Sequence, residues 1–108
     1  MTCIFCAIIE KNIPSDIVYE DAAVVAFKDI HPKAPCHILV VPRHHIASLT
    51  ELDENNYEFA GKFLIAIKRV ADKAGVGKTG YRVVMNIGSD GGQEVLHLHA
   101  HVLGGKQL

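Results

Sequence analysis

His97-Leu98-His99-Ala100-His101-Val102-Leu103 decides how this chain is read. Histidine alternates with apolar residues, and in an extended strand the side chains i, i+2 and i+4 share one face. The segment predicts a strand over 97–103, with three imidazoles on one side and three apolar groups in the core. An imidazole is costly to bury unless its nitrogens are satisfied, so packing alone does not account for three on one face. Two chemistries use such a row. Histidines at i and i+2 can bind one zinc ion. Alternatively, one neutral imidazole acts as a nucleophile near neutral pH, its ordinary pKa being about 6.5. Its neighbours then hold developing charge or move a proton.

The upstream stretch Gly88-Ser89-Asp90-Gly91-Gly92-Gln93 reads as a loop, and glycines let backbone N–H groups approach an anion closely. Beside three histidines it favours a phosphate-bearing substrate. Formal net charge is −1 and no basic run exceeds two residues. That argues against a nucleic-acid groove or a membrane-surface patch, and for a substrate with few phosphates. No apolar run approaches the roughly 18 residues of a spanning helix. Met1-Thr2-Cys3-Ile4-Phe5-Cys6 lacks the basic start and long apolar stretch of a signal peptide. The expectation is a soluble cytoplasmic protein of one domain, residues 1–108. A chain of 108 residues buries a modest fraction of its surface, which favours an oligomer.

Further out, Ile4 to Ile9 is a short apolar stretch that predicts a helical turn or two before Asn12-Ile13-Pro14. Ile17-Val18-Tyr19 and Val24-Val25-Ala26-Phe27 are β-rich and joined by Glu20-Asp21-Ala22, a hairpin signature. Cys36 to Val41 predicts a third strand stopped by Pro42, and Tyr81 to Asn86 a fourth. Between them Ala60, Phe63, Leu64, Ile67, Val70, Ala71 and Ala74 fall at helical spacing, with Thr50 or Asp53 as cap and Gly75 as terminator. The sum is an α+β fold: about five mostly antiparallel strands, one long helix and a short N-terminal helix. Gly75-Val76-Gly77-Lys78-Thr79 imitates the end of a P-loop. Asp72 stands where that pattern needs its first glycine, so the segment reads as a helix end and turn.

The alternation His-apolar-His-apolar-His-apolar-apolar resembles the motif of the histidine triad (HIT) family. Its flanks, among them Tyr19-Glu20-Asp21, Ala26-Phe27-Lys28-Asp29-Ile30, Ala34-Pro35-Cys36-His37, Val41-Pro42-Arg43-His44-His45 and Asn86 through Gln93, are similar to the branch of histidine triad nucleotide-binding proteins. The resemblance implies a HIT-like homodimer whose two sheets join into one. It implies purine nucleoside monophosphates as ligands, and as substrates nucleoside phosphoramidates of the aminoacyl-AMP type. By position, His99 is then the nucleophile at phosphorus, His101 the phosphate and leaving-group partner, and His37 the supporting histidine on the neighbouring strand. Asp29 and Ile30 correspond to ribose contacts, and Asn86, Gly92 and Gln93 to residues that hold the phosphate. Ile4, Phe5, Ile8, Phe27 and Leu39 match an apolar slot for the base, for which plain core packing is an equal account. Glu94 departs from the pattern: relatives often carry Ser or Thr there, facing the phosphate.

An odd count of three cysteines without an export signal does not suggest a disulfide framework. Cys3-Ile4-Phe5-Cys6 is a C-x-x-C, yet no strand can precede residue 3 as the redox form of that motif requires. A structural zinc needs four sulfur or imidazole ligands. The resemblance implies that Cys3 and Cys6 are joined by His45 and His97, with His44 as the adjacent alternative to His45. The zinc would then be structural, leaving His99 and His101 for catalysis without a cofactor. Two unmetallated thiols packed near the N-terminus is the competing account. Cys36 is expected in the core. Two rivals to the hydrolase stand at this point: a purine-nucleotide-binding scaffold with little catalysis, and a metallohydrolase with zinc on His97, His99 and His101.

Overall fold

Alternation along the third strand organises the molecule, which a computed structural model describes for residues 3–108. Met1 and Thr2, the start of the segment read for a leader, lie outside the described residues. The elements are α1 (Ile4–Ile9), β1 (Ile17–Glu20), β2 (Val24–Lys28), β3 (Cys36–Pro42), α2 (Tyr57–Lys73), β4 (Tyr81–Val84) and β5 (Ala100–Gly104). The sheet order is β1-β2-β3-β5-β4, with every neighbouring pair antiparallel. Ile38 and Val40 of β3 lie with Val24, Ala26, Ala100 and Val102 against α2. Leu39 and Val41 lie with Val25 and Phe27 on the opposite face, against Phe5 and Ile8 of α1. Both faces of β2 and β3 are covered, which is why these strands read as unbroken apolar runs.

The long helix buries Phe63, Ala66, Ile67, Val70 and Ala71, a 3–4 spacing that makes one apolar stripe. Two 3-10 turns, Leu49–Glu51 and Glu54–Asn56, lead into it. Of the two expected caps, Asp53 acts on the second turn: its carboxylate accepts from the Asn55 N–H at 2.8 Å, and the Asn56 side chain accepts from the Asp53 N–H at 2.9 Å. Thr50 lies inside the first turn instead. After the Ala74 cap, Gly75 takes φ +84°, a left-handed conformation that ends the helix and suits glycine. The P-loop lookalike is therefore a helix end, with Val76 packed into the core. Truncating Phe63, 4% exposed and stacked on Phe59, is expected to cost about 3–5 kcal/mol in a urea melt of Phe63→Ala.

Two strand boundaries differ from the sequence expectation by two residues or more, and the others by at most one. The last strand begins at Ala100, where it pairs with Val40, and not at His97. The Leu98 N–H donates instead to the Ile46 carbonyl at 2.6 Å, outside the sheet. The fourth strand ends at Val84, short of Asn86, whose side-chain amide donates to the Gly91 carbonyl at 2.8 Å. Among the described residues, no helix is long and apolar enough to cross a membrane.

Candidate active site

The three histidines stay on the α1 face of the sheet, yet each nitrogen is committed differently. His99 is 7% exposed and packs edge-on against the Phe5 ring. Its Nδ1 lies 2.7 Å from the His97 carbonyl oxygen. A carbonyl only accepts, so Nδ1 carries the proton and Nε2 of the neutral ring holds a free lone pair. An imidazole held this way can act as a base or a nucleophile through Nε2.

His101 sits in β5, and its ring centroid is 5.2 Å from that of His99. On β3, His37 is buried and accepts from the Lys33 N–H through Nδ1 at 3.1 Å. Its proton therefore sits on Nε2, which lies 3.0 Å from His101 Nδ1 and 3.4 Å from Asp29 Oδ2. His101 accepts at Nδ1, so its own proton is on Nε2, available to a ligand. Burial, followed by the positive charge His99 and His37 would bear, holds His101 down to about 4. Burial also lowers His37, with Asp29 opposing. The unliganded pair is thus neutral at pH 7.

His97 faces elsewhere. It is fully buried; Nε2 donates to the Pro42 carbonyl at 2.8 Å, leaving the Nδ1 lone pair 3.3 Å from Cys3 Sγ and 3.6 Å from Cys6 Sγ. His45 Nδ1 lies 3.3 Å from Cys6 Sγ. The four ligand atoms of Cys3, Cys6, His45 and His97 lie within 4.8 Å of one another. A tetrahedral zinc with usual Zn–S and Zn–N lengths has S···N edges of about 3.6 Å, so the donor set and its spacing fit that ion. Burial, then the hydrogen bond and charge of Cys3, push the Cys6 thiol up to about 11 without a cation beside it. His44 is exposed and outside the group. Among the described residues His97, His99 and His101 form no common ligand cluster, which removes the geometric basis of a three-histidine metal centre.

The glycine loop stands next to this row. Gly92, at φ +77°, donates its N–H to the Ser89 carbonyl. Gln93 is a brace: Oε1 accepts from the Gly88 N–H at 3.0 Å, and Nε2 donates to the Ala47 and Val95 carbonyls at 2.7 and 3.0 Å. Glu94 is exposed. Asp29 accepts from the His31 N–H at 2.8 Å, and Ile30 beside it is 82% exposed. Of the residues matched to a base slot, Phe5, Ile8, Phe27 and Leu39 belong to the α1-side core, and Ile4 is 49% exposed. A cavity of about 610 Å³ has Asp29 and His37 in its wall, together with Lys28 and Lys73, though not His99 or His101. Sequence reasoning missed the backbone groups that set the tautomers: the His97 and Pro42 carbonyls and the Lys33 N–H. Main-chain groups carry no residue-type signal.

An antiparallel five-stranded sheet covered by one long helix, with His37, His99 and His101 gathered on its other face, is the arrangement of a histidine-triad class of proteins. This chain belongs to the HIT family: the HIT domain profile matches residues 10–108. A purine nucleoside phosphoramidase from Escherichia coli K12 is 43% identical over 105 residues, 97% of this chain and 88% of the relative. A histidine triad protein from Clostridium difficile superposes with a TM-score of 0.95 at 49% identity, covering 100% of this chain and 94% of that one. A HIT family hydrolase from Legionella pneumophila superposes at 0.93 with 43% identity, covering 98% and 95%.

Proposed function

We propose that this protein is a nucleoside phosphoramidate hydrolase that cleaves P–N bonds of the aminoacyl-AMP type through a nucleotidyl intermediate on His99. The observation that carries the reading is the Nδ1–H bond of His99 to the His97 carbonyl, which leaves Nε2 unprotonated. The similarity to a purine nucleoside phosphoramidase supports the substrate class. His99 Nε2 attacks the α-phosphorus, the P–N bond breaks, and the leaving amine takes its proton from His101. An anionic phosphoryl group beside His101 favours its charged form, so a second ring proton is taken up from solvent when substrate binds. Water then attacks the phosphorus–imidazole bond, His101 accepts a proton from it, and the nucleoside monophosphate leaves. His37 holds His101 in the required tautomer.

Asp29 accepts from the ribose hydroxyls and Ile30 covers the sugar. Asn86, Gly92, Gln93 and Glu94 border the phosphate, with Gln93 acting through the loop it braces. Cys3, Cys6, His45 and His97 hold one structural zinc ion; its chemistry is to cross-link the chain, and the reaction itself runs on nitrogen bases. The protein acts in the cytoplasm as one domain over residues 1–108, on small nucleotides and not on nucleic acid or membranes. It works as a homodimer joined edge to edge. β4 is an edge strand with Val83 42% exposed, a free ladder that a second copy can continue. Sedimentation then gives the mass of two chains. The function is tested by incubating the protein with an adenosine phosphoramidate. Stoichiometric release of amine and AMP over many turnovers is expected; tight AMP binding without amine release would make the protein a nucleotide-binding scaffold.

A further inference from the structure

His97 belongs to two systems at once. Its ring belongs to the cysteine–histidine cluster, while its carbonyl holds the proton of His99 Nδ1. The strand ladder does not reach either residue, because β5 pairing starts at Ala100. The nucleophile is therefore positioned by contacts outside the sheet, and these converge on one short segment. His45 enters the cluster, the Ile46 carbonyl takes the Leu98 N–H at 2.6 Å, and the Ala47 carbonyl takes Gln93 Nε2 at 2.7 Å. The peptide unit between His97 and Leu98 is thus pinned at both ends, its N–H on Ile46 and its C=O on His99. The His97 ring is likewise held on both sides, by Pro42 and by the two sulfurs.

We infer that the Cys3–Cys6–His45–His97 cluster is a positioning device for the nucleophile: metal in the cluster fixes His97, and His97 fixes the tautomer and aim of His99. This rests on the zinc reading above and goes beyond it, since a merely structural ion would stabilise the fold without touching His99. His97 is a positioning residue and never contacts substrate. Its two hydrogen-bond roles are separated only by its own covalent frame. A ring freed from the metal can rotate, lose the Pro42 bond and tilt the peptide plane that receives the His99 proton. Outer partners that orient a reacting group typically change activity 10- to 100-fold when lost.

The test uses the full chain loaded with zinc, the same protein stripped by a chelator, and the His45→Ala variant, which removes an exposed ligand at little packing cost. Four quantities are read: zinc per chain, the nitrogen-15 shifts of the His99 ring, and kcat and KM on an adenosine phosphoramidate. The loaded protein should hold one zinc and show His99 as a single Nδ1–H tautomer. Stripping, or His45→Ala at limiting zinc, should move the His99 shifts towards a tautomer average. It should also lower kcat by about tenfold or more, with KM within about twofold. Returning zinc restores both. A stripped protein that stays folded with a lower melting temperature, but keeps its His99 shifts and kcat, overturns the coupling while leaving a structural zinc. A protein that takes up no zinc in any form overturns the metal reading and the coupling with it.

Discussion

Replacing His99 with alanine lowers phosphoramidate turnover by at least about 10⁴-fold, the scale on which enzymes lose a covalent nucleophile. AMP affinity should change far less, because the proposed assignment gives most ribose and phosphate contacts to other residues, Asp29, Ile30, Asn86 and His101 among them. The physical basis is specific. Nε2 of His99 holds a lone pair fixed by a buried hydrogen bond, whereas the neighbouring lone pairs face other groups, His97 Nδ1 the sulfurs of Cys3 and Cys6 and His101 Nδ1 the His37 ring. No adjacent imidazole can take over without breaking one of those bonds. The substitution also removes a ring packed on Phe5, so the melting temperature should fall while the fold persists. Single-turnover hydrolysis beside an AMP titration checks both halves.

His101→Gln is expected to lower kcat by about 10²- to 10⁴-fold, the usual range for a lost acid–base group, and most for the more basic leaving amines. Glutamine can still hydrogen-bond the phosphate but cannot deliver a proton. Two pH effects accompany the wild type. Binding of AMP at mildly acidic pH should take up a fraction of a proton. The phosphate favours the imidazolium that burial, His99 and His37 otherwise hold down to about 4. Calorimetry in two buffers of different ionisation enthalpy measures that uptake, and the variant should show less. Stability follows the same group. The folded pKa of about 4 lies below the ordinary 6.5, so between those values the unfolded chain binds more protons. Stability is therefore full above pH 6.5 and falls as pH drops towards 4. In His101→Gln that slope should be shallower.

Much of this was readable along the chain. The odd-even alternation of His97 to Leu103 places the imidazoles on the face opposite α2, and the 3–4 spacing from Phe63 to Ala71 marks the buried stripe of the long helix. Local periodicity carries that information because it is set within a few residues. The strand start was not readable: His97 to His99 alternate as a strand does, but the Ile46 carbonyl, far away in sequence, removes Leu98 from the ladder. The division of labour among the histidines came from the family resemblance and not from spacing. Spacing makes them a row, while the neighbours of their nitrogens, Cys3, His37 and two carbonyls, come from α1, β3 and a connecting loop. The cysteine pair shows the same limit. Two thiols three residues apart suggest a metal, and the resemblance named His45 and His97 as their companions, but the choice of His45 over His44 follows from the fold, which leaves His44 in solvent. The α2 start was blurred because Asp53 caps a 3-10 turn ahead of the helix, so a good capping residue marked a neighbouring element.

The central claim is nucleophilic attack by His99. Its most direct measurement is mass spectrometry of the protein quenched at millisecond times after mixing with an adenosine phosphoramidate, followed by peptide mapping under conditions that preserve a phosphorus–imidazole bond. The account predicts transient addition of one adenylyl group per chain, located on His99, that appears with the released amine and decays with the appearance of AMP. Amine release without any adenylylated protein, or a label on another residue, would contradict it.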